Sequence, residues 1–327
     1  MKELDIARRF FLHKPDDIAQ SYVQWADRLQ NEPGISFGTK VLDSKIIPLH
    51  PGDLLAVVAR PGHGKSSFMA YMAKKTALDI LARGADDEVV VYLTWEQPVE
   101  EIEAFFQSGG KYTSTDMAWG RVPMDTIKAG AIGRGKLPIW MIGTSVRHAG
   151  IKKPRMYLDY VYAAIETMYE EYGKKPILLC LDYLQIIPVS SGGKRFEQVA
   201  EATNLTKELL MNHAVAGIAG VQAGRQVDSY KAKIPSMADA QHSSEIEQRA
   251  DKQLAVWRPV KDYDPVETPE IEVAGVKYTN CEDLFIVRNL KQRFDVGYGS
   301  YAMRFKPQTL EMFDYDHAYH NGHYNGR

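Results

Sequence analysis

The stretch from Asp53 to Ser67 restricts what this chain can fold into more than any other part of it. Leu54 to Ala59 is apolar enough for a strand covered on both faces, and Phe68, Met69, Met72 and Ala73 recur afterwards at helical spacing. A glycine-bearing turn therefore lies between a buried strand and the start of a helix. There, unpaired backbone N–H groups and the positive end of the helix dipole attract phosphate. Gly62 and Gly64 let the backbone approach closely, Lys65 can reach the β and γ phosphates, and the Ser66 hydroxyl can ligate Mg²⁺. Arg60, Pro61, Gly62, His63, Gly64, Lys65, Ser66 and Ser67 are thus the candidate nucleotide-binding residues. The first glycine of the general G-x-x-x-x-G-K-[ST] pattern is Ala59 here, and a turn that merely precedes Lys-Ser is the bland alternative.

The residues downstream argue against that alternative. Glu88 to Thr94 reads as a second buried strand, and Pro98 opens a helix, so Glu96 falls just past the strand's C-terminal end. Ligands bind at that edge of open α/β sheets, and a carboxylate there can orient or deprotonate the water that attacks a γ-phosphate. A plain helix-start charge is the competing reading. Pro176 to Leu181 is an apolar run closed by Asp182, the form of an acid that holds the Mg²⁺ shell of a bound nucleotide. Val215 to Val221 is a further strand, of small residues, and ends at Gln222, placed to sense the γ-phosphate, with Arg225 close behind. The apolar-poor loop from Gln226 to Gln241, which carries Lys231 and Lys233, is expected to be mobile.

Other segments are read more coarsely. Pro15-Asp16-Asp17 opens a helix whose Ile18, Tyr22, Trp25 and Leu29 must be covered by the same domain or by a neighbouring subunit. Tyr157 to Tyr172 and Phe196 to His213 are helices, and Leu137 to Ile142 is a strand. Lys261 to Asn280 is a hairpin or a loop, and Tyr301 to Phe305 with Leu310 to Phe313 alternate as a closing hairpin. The polar end, 317–327, is expected to fray, its three histidines binding metal only weakly.

At 45% hydrophobic and 25% charged, the 327 residues can bury a sizeable core. The net charge of −2 confines any nucleic-acid contact to local clusters of Lys and Arg. Two cysteines, Cys180 and Cys281, make no disulfide framework, which fits a reducing cytoplasm. No apolar run approaches the ~20 residues of a membrane span, so a soluble protein with no membrane contact is expected.

Strands alternating with helices, a phosphate loop after the first and acids after the next two resemble a RecA-like P-loop ATPase core. That fold is α/β, with a mostly parallel central sheet flanked by helices, here behind a short N-terminal helical segment. The match narrows at Ala59-Arg60-Pro61-x-x-Gly64-Lys65-Ser66, Leu181-Asp182-Tyr183-Leu184-Gln185, Ile246-Glu247-Gln248-x-Ala250-Asp251 and Lys291-Gln292-Arg293, which together resemble the DnaB-type replicative helicases over residues 35 to 313. The resemblance implies a helical linker over 1–34, an ATPase domain over 35–316 and a tail over 317–327. It also implies ATP and Mg²⁺ as ligands, Glu96 as catalytic carboxylate, Asp182 as Mg²⁺-shell acid and Gln222 as γ-phosphate sensor. Lys291 and Arg293 would be inserted into a neighbour's site, which makes hydrolysis depend on assembly. The implied assembly is a homo-hexameric ring with active sites at subunit interfaces, gripping single-stranded DNA in its channel, in a bacterial or phage-infected cytosol. A primase or a loader protein is a further implied partner. Lys194 and Arg195, Arg225, and Lys231 and Lys233 are the candidate DNA contacts, by phosphate; ordinary solvated surface is the other reading.

Three features depart from the family pattern. Only about 34 residues precede the core, so ring assembly would rest on the core and that helical segment. Gln241-His242-Ser243-Ser244 stands where Arg-Glu-Ser-Gly is usual, removing a positive charge from a DNA-facing loop, and Trp95-Glu96-Gln97 replaces Leu-Glu-Met. These changes leave open a phage or mobile-element helicase, or a RecA-like regulatory module whose nucleotide state controls protein assembly. A recombinase or clock-type relative fits the core but matches the Lys-Gln-Arg and Ile-Glu-Gln stretches less well.

Overall fold

The apolar runs read above form the middle of one sheet in the computed structural model, which describes residues 3–107, 111–240, 244–294 and 298–316. Helices α1 (Glu3–Phe10), α2 (Pro15–Asn31) and the short α3 (Lys40–Asp43) lead to β1 (Leu54–Ala59) and α4 (Lys65–Arg83). Then come β2 (Glu88–Thr94), α5 (Val99–Gln107), α6 (Ser114–Ala118), α7 (Met124–Arg134), β3 (Ile139–Gly143), α8 (Leu158–Glu170), β4 (Lys175–Asp182), α9 (Arg195–Asn212) and β5 (Ala216–Gln222). The last third holds α10 (Ser244–Arg249), β6 (Lys252–Trp257), the separate hairpin β7 (Glu270–Val273) and β8 (Val276–Thr279), β9 (Leu284–Gln292), β10 (Gly299–Lys306) and β11 (Glu311–Asp314). The excursion after β6, which the sequence left as hairpin or loop, is therefore a hairpin.

The sheet order is β11-β10-β9-β6-β1-β5-β4-β2-β3. Strands β6, β1, β5, β4, β2 and β3 pair in parallel, and β9, β10 and β11 add on antiparallel. Both faces are covered. Side chains alternate along β1: Leu54, Ala56 and Val58 join Val161 and Ile165 of α8 and Leu209 and Leu210 of α9 in one core layer. Leu55, Val57 and Ala59 join Phe68, Met72 and Ala73 of α4 in the other. Double coverage explains why β1, β2 and β4 read as continuous apolar runs.

Cys180 is buried in that second layer and Cys281 is half-buried; both are free thiols. Burial pushes the Cys281 thiol up to about 12, with the Asp283 carboxylate adding to it. Among the described residues no helix is long and apolar enough to cross a membrane.

Two segments read coarsely from the sequence are better defined here. The Gln226–Gln241 segment is less apolar-poor in effect than in composition: Val227, Ile234 and Ala240 are buried in the core, and Asp239 accepts hydrogen bonds from the Ser236 amide and hydroxyl and from Tyr230. Helices α1 and α2, by contrast, bury no residue: Phe10, Ile18, Tyr22 and Trp25 stand exposed, which sets aside packing on the same domain, one of the two readings of this face. The tail 317–327 and residues 241–243 lie outside the described residues.

At the edge where the parallel strands begin, Asp251 is buried, accepts from the Leu54 amide at 2.8 Å and Lys207 Nζ at 2.5 Å, and forms an ion pair with Arg293 Nε at 3.2 Å. Asp251→Ala removes the acceptor shared by these donors, and breaking one side of a buried pair costs about 3–5 kcal/mol. The expected result is an equilibrium urea midpoint lowered accordingly, with an unchanged slope; a loss under about 1 kcal/mol would contradict the assignment of Asp251 as a buried anchor.

Candidate nucleotide site

The six parallel strands all end on the same edge, which brings four of the sequence-selected residues together. The register sets Ala59, at the mouth of the phosphate loop, beside Gln222, and Thr94, two residues before Glu96, beside Asp182. The loop itself turns into α4 at Gly64, which has φ +90° and thus a conformation that favours glycine. A Cβ there would also lie 3.0 Å from the Phe285 ring. With no side-chain cap at Gly64, the first amides of α4 are left for an anion.

Lys65 and Asp182 face each other across this edge. Lys65 Nζ donates to Asp182 Oδ1 at 2.9 Å and lies 4.2 Å from the centre of the Tyr183 ring. The other carboxylate oxygen of Asp182 accepts from the Tyr92 hydroxyl at 3.0 Å. Burial, with the Asp182 charge adding to it, holds the Tyr92 phenol well above its ordinary range, so it remains a donor. Glu96 is exposed at the same edge, and after burial its negative charge is the next cause that raises the Tyr183 phenol. The stem of Lys65 crosses β5 at Gly220, where a Cβ would meet its Cδ at 2.9 Å and its Nζ at 3.1 Å. Glycine at this position leaves that path open to the lysine stem.

Sequence reasoning missed the role of Gln185, although it quoted the residue within the Asp182 motif. Gln185 Oε1 accepts from the Gln222 amide at 3.1 Å, and Gln185 Nε2 donates to the Gln222 carbonyl at 3.1 Å. The pair of bonds fixes the end of β5, and with it the origin of the Gln222 side chain. Tyr92 also went unremarked, since a tyrosine inside an apolar strand gives no signal of what its hydroxyl meets.

Other candidate residues are placed differently from expectation. The Arg60 guanidinium forks onto Asp228, at 2.9 Å for both bonds, and donates to the Ala223 carbonyl at 3.2 Å, so it braces the loop after β5 instead of facing the phosphate cradle. His63 is buried, its Nδ1 accepting from the Arg258 amide at 3.4 Å and its Nε2 3.8 Å from Asp262. Burial lowers its pKa, against the pull of Asp262. Only the backbone of His63 is therefore available to a phosphate. Pro61 and Gly62 are exposed at the tip, and Ser66 and Ser67 are partly buried in the first turn of α4.

Lys291 and Arg293 lie at the opposite edge. Lys252 of β6 pairs with Leu55 of β1 on one side and with Gln292 on the other, so Lys291 and Arg293 sit where β1 begins. The phosphate loop begins where β1 ends, six residues on, or roughly 20 Å at about 3.3 Å per residue. Lys291 Nζ donates to the Glu247 carbonyl at 2.6 Å, and Arg293 pairs with Asp251. Neither reaches the phosphate loop of its own chain.

The candidate DNA contacts are mixed. Lys194, Arg225 and Lys231 are exposed, Lys231 at 3.8 Å from Glu272 of β7. Arg195 donates to the Gln185 carbonyl at 2.5 Å, and Lys233 sits 3.6 Å from Asp262 and 5.2 Å from the Tyr263 ring centre, so these two are engaged within the chain.

The donor set fits a nucleoside triphosphate with Mg²⁺: a lysine and capless helix amides for phosphate, with a hydroxyl (Ser66) and a carboxylate (Asp182) for a hard cation that keeps most of its own waters. A doubly covered, mainly parallel sheet with this loop after its central strand defines a RecA-like P-loop ATPase fold. Structural neighbours agree: a solved ATPase domain superposes with a TM-score of 0.71 at 18% identity, covering 93% of this chain and 100% of that one. A DnaB-like replicative helicase, solved with its interactions with primase, superposes with a TM-score of 0.69 at 18% identity over 96% of this chain and 70% of that one. Residues 34–308 match the DnaB-like helicase C terminal domain, and the chain belongs to that family. The replicative DNA helicase DnaB of Pasteurella multocida is 27% identical over 69% of this chain and 46% of its own length. The replicative DNA helicase DnaC of Bacillus subtilis is 28% identical over 87% of this chain and 63% of its own. The chain thus spans about half the length of most of these relatives.

Proposed function

We propose that the protein is an ATP-hydrolysing DNA helicase or translocase that works as a ring, each active site completed by the adjoining subunit. In this reading the phosphate loop and Lys65 bind the β and γ phosphates, while Ser66 and Asp182 hold Mg²⁺. When bound, that ion supplies positive charge to the phosphoryl oxygens. Glu96 takes the proton of the attacking water, and Gln222, its backbone fixed by Gln185, faces the γ-phosphate from the end of β5. Lys291 and Arg293 extend into the site of the next subunit and stabilise charge developing on the transferred group.

The observation that carries this reading is the separation of Lys291 and Arg293 from their own phosphate loop by the full length of β1. A cation pair so placed serves hydrolysis only across an interface. The uncovered apolar faces of α1 and α2 support the same arrangement, since such stripes favour burial against another surface. Ring size, the single-stranded DNA track and a primase or loader as partner belong to this proposal. Turnover per subunit is expected to rise with protein concentration and again with single-stranded DNA; full activity at concentrations where the protein is monomeric, with no gain on self-association, would overturn it.

The regulatory-module reading has one observation in its favour. Arg195 and Lys233 are engaged within the chain, which leaves fewer cations for a DNA track. Steeply salt-dependent binding of single-stranded DNA would exclude it.

A further inference from the structure

Resting on the single-stranded DNA reading, we infer that the connection between β3 and α8 forms an additional nucleic-acid contact, in which a cleft beside Trp95 seats one nucleotide and a basic ridge holds the neighbouring phosphates. Residues 146 to 155 contain Arg147, Lys152, Lys153 and Arg155, four cations in ten residues, against 40 Lys and Arg in 327 for the whole chain. No acid interrupts them, the next being Asp159. All four are exposed.

This ridge is held in place at both ends. At its start Glu100 of α5 accepts from the Ser145 hydroxyl at 2.5 Å and from the Val146 amide at 3.1 Å. At its end Trp95 Nε1 donates to the Met156 carbonyl at 2.7 Å. The Lys153 ammonium folds back to the Ser145 carbonyl at 3.3 Å, closing the loop on itself. Those bonds, with the Arg147 charge beside them, hold Glu100 ionised, so the ridge sets four cations against this one carboxylate at its start.

Beside the ridge lies a cleft of about 420 Å³ lined by Trp95, Arg155, Met156, Ile187, Arg195 and Gln198, among others. That volume is within the roughly 300–1,000 Å³ of small-ligand sites. Its walls combine an indole and a thioether with guanidinium and amide groups, the chemistry that takes a base by its face and a phosphate by its charge. Ile186 to Val189, which also line the cleft, lead from β4 toward Lys194, so the cleft lies beside a loop that carries one of the candidate DNA contacts. Trp95 is also the neighbour of Glu96, which puts an occupant of the cleft one residue from the carboxylate that handles water. An acidic protein segment would be drawn by the same charge, but the mixed aromatic and polar cleft favours a nucleotide.

The test measures anisotropy of a labelled oligothymidylate on the full chain with a non-hydrolysable ATP analogue, across a salt series. Lys152→Gln/Lys153→Gln/Arg155→Gln is expected to weaken binding about tenfold near 0.1 M salt and to flatten the logarithmic salt slope by about 2, since each single-strand phosphate contact contributes about 0.7. In parallel, an oligonucleotide carrying 4-thiothymidine should crosslink to peptides containing Trp95 or Met156. Unchanged affinity and slope in the variant, with wild type binding normally, overturns this inference alone. A wild type that shows no salt-dependent binding overturns the DNA reading and this inference with it. Crosslinks confined to residues 225–240 remove the cleft from the track, and unchanged oligonucleotide binding with loss of polyglutamate binding reassigns the ridge to an acidic protein.

Discussion

Arg293→Ala is expected to lower ATP turnover about 10³-fold or more while each subunit still binds nucleotide, because an arginine supplied in trans contributes about 10³–10⁵ to phosphoryl transfer. The geometry makes the variant unusually informative. Arg293 sits at the edge where β1 starts, paired with Asp251 and half exposed, so its loss leaves the phosphate loop of the same chain untouched. Mixing Arg293→Ala with Lys65→Ala subunits should restore part of the activity: one partner brings an intact phosphate loop, the other an intact arginine. Complementation is the decisive readout, since two variants each defective within their own subunit cannot rescue one another. Absence of rescue at concentrations where mixed oligomers form would place Arg293 outside the reaction. Loss of folding is checked separately, because Asp251 keeps Lys207 and the Leu54 amide when the arginine is gone.

Glu96→Gln should reduce turnover by about 10²–10⁴-fold, the span of a positioned general base, with nucleotide affinity kept within about threefold. The amide retains the size and hydrogen-bonding reach of the acid but cannot take a proton. Glu96 is exposed and touches neither Lys65 nor Asp182 in the hydrogen bonds of the site, so the change leaves the binding groups in place. A fluorescent ATP analogue reads the affinity, and released phosphate reads the turnover. Comparable losses in both would mean that Glu96 helps hold the nucleotide, and undiminished turnover would mean that another group handles the water.

Much of the fold was legible in the residues because burial on two faces leaves a plain mark. Leu54 to Ala59, Val89 to Leu93 and Leu178 to Leu181 carry no polar side chain other than the Tyr92 hydroxyl and the Cys180 thiol, and each is a central strand. The antiparallel addition is less plain, since β9 alternates only in part and keeps Asn289 and Gln292 buried. The residues from Ser114 to Arg134 hid two helices, α6 and α7, because neither buries a long apolar stripe. For the site, the motif positions identified which residues gather at the C-terminal edge, but not what their side chains do there. Arg60 and His63 belong to the loop by position, while Asp228 and Asp262, distant in the chain and invisible to any local pattern, decide where their side chains turn. Gln185 shows the same limit: its function lies in a contact with a backbone 37 positions away.

Gly220 ties the resilience of the molecule to its chemistry. A glycine within a strand costs roughly 0.5–1 kcal/mol relative to alanine, and any mutation that recovered this would place a methyl group 2.9 Å from the Lys65 stem. The stem would then have to shift on its way to the edge where Asp182 and the phosphate loop converge. A sturdier strand and the lysine stem therefore draw on the same space above Gly220, and any gain in the sheet is taken from the room in which that flexible chain lies.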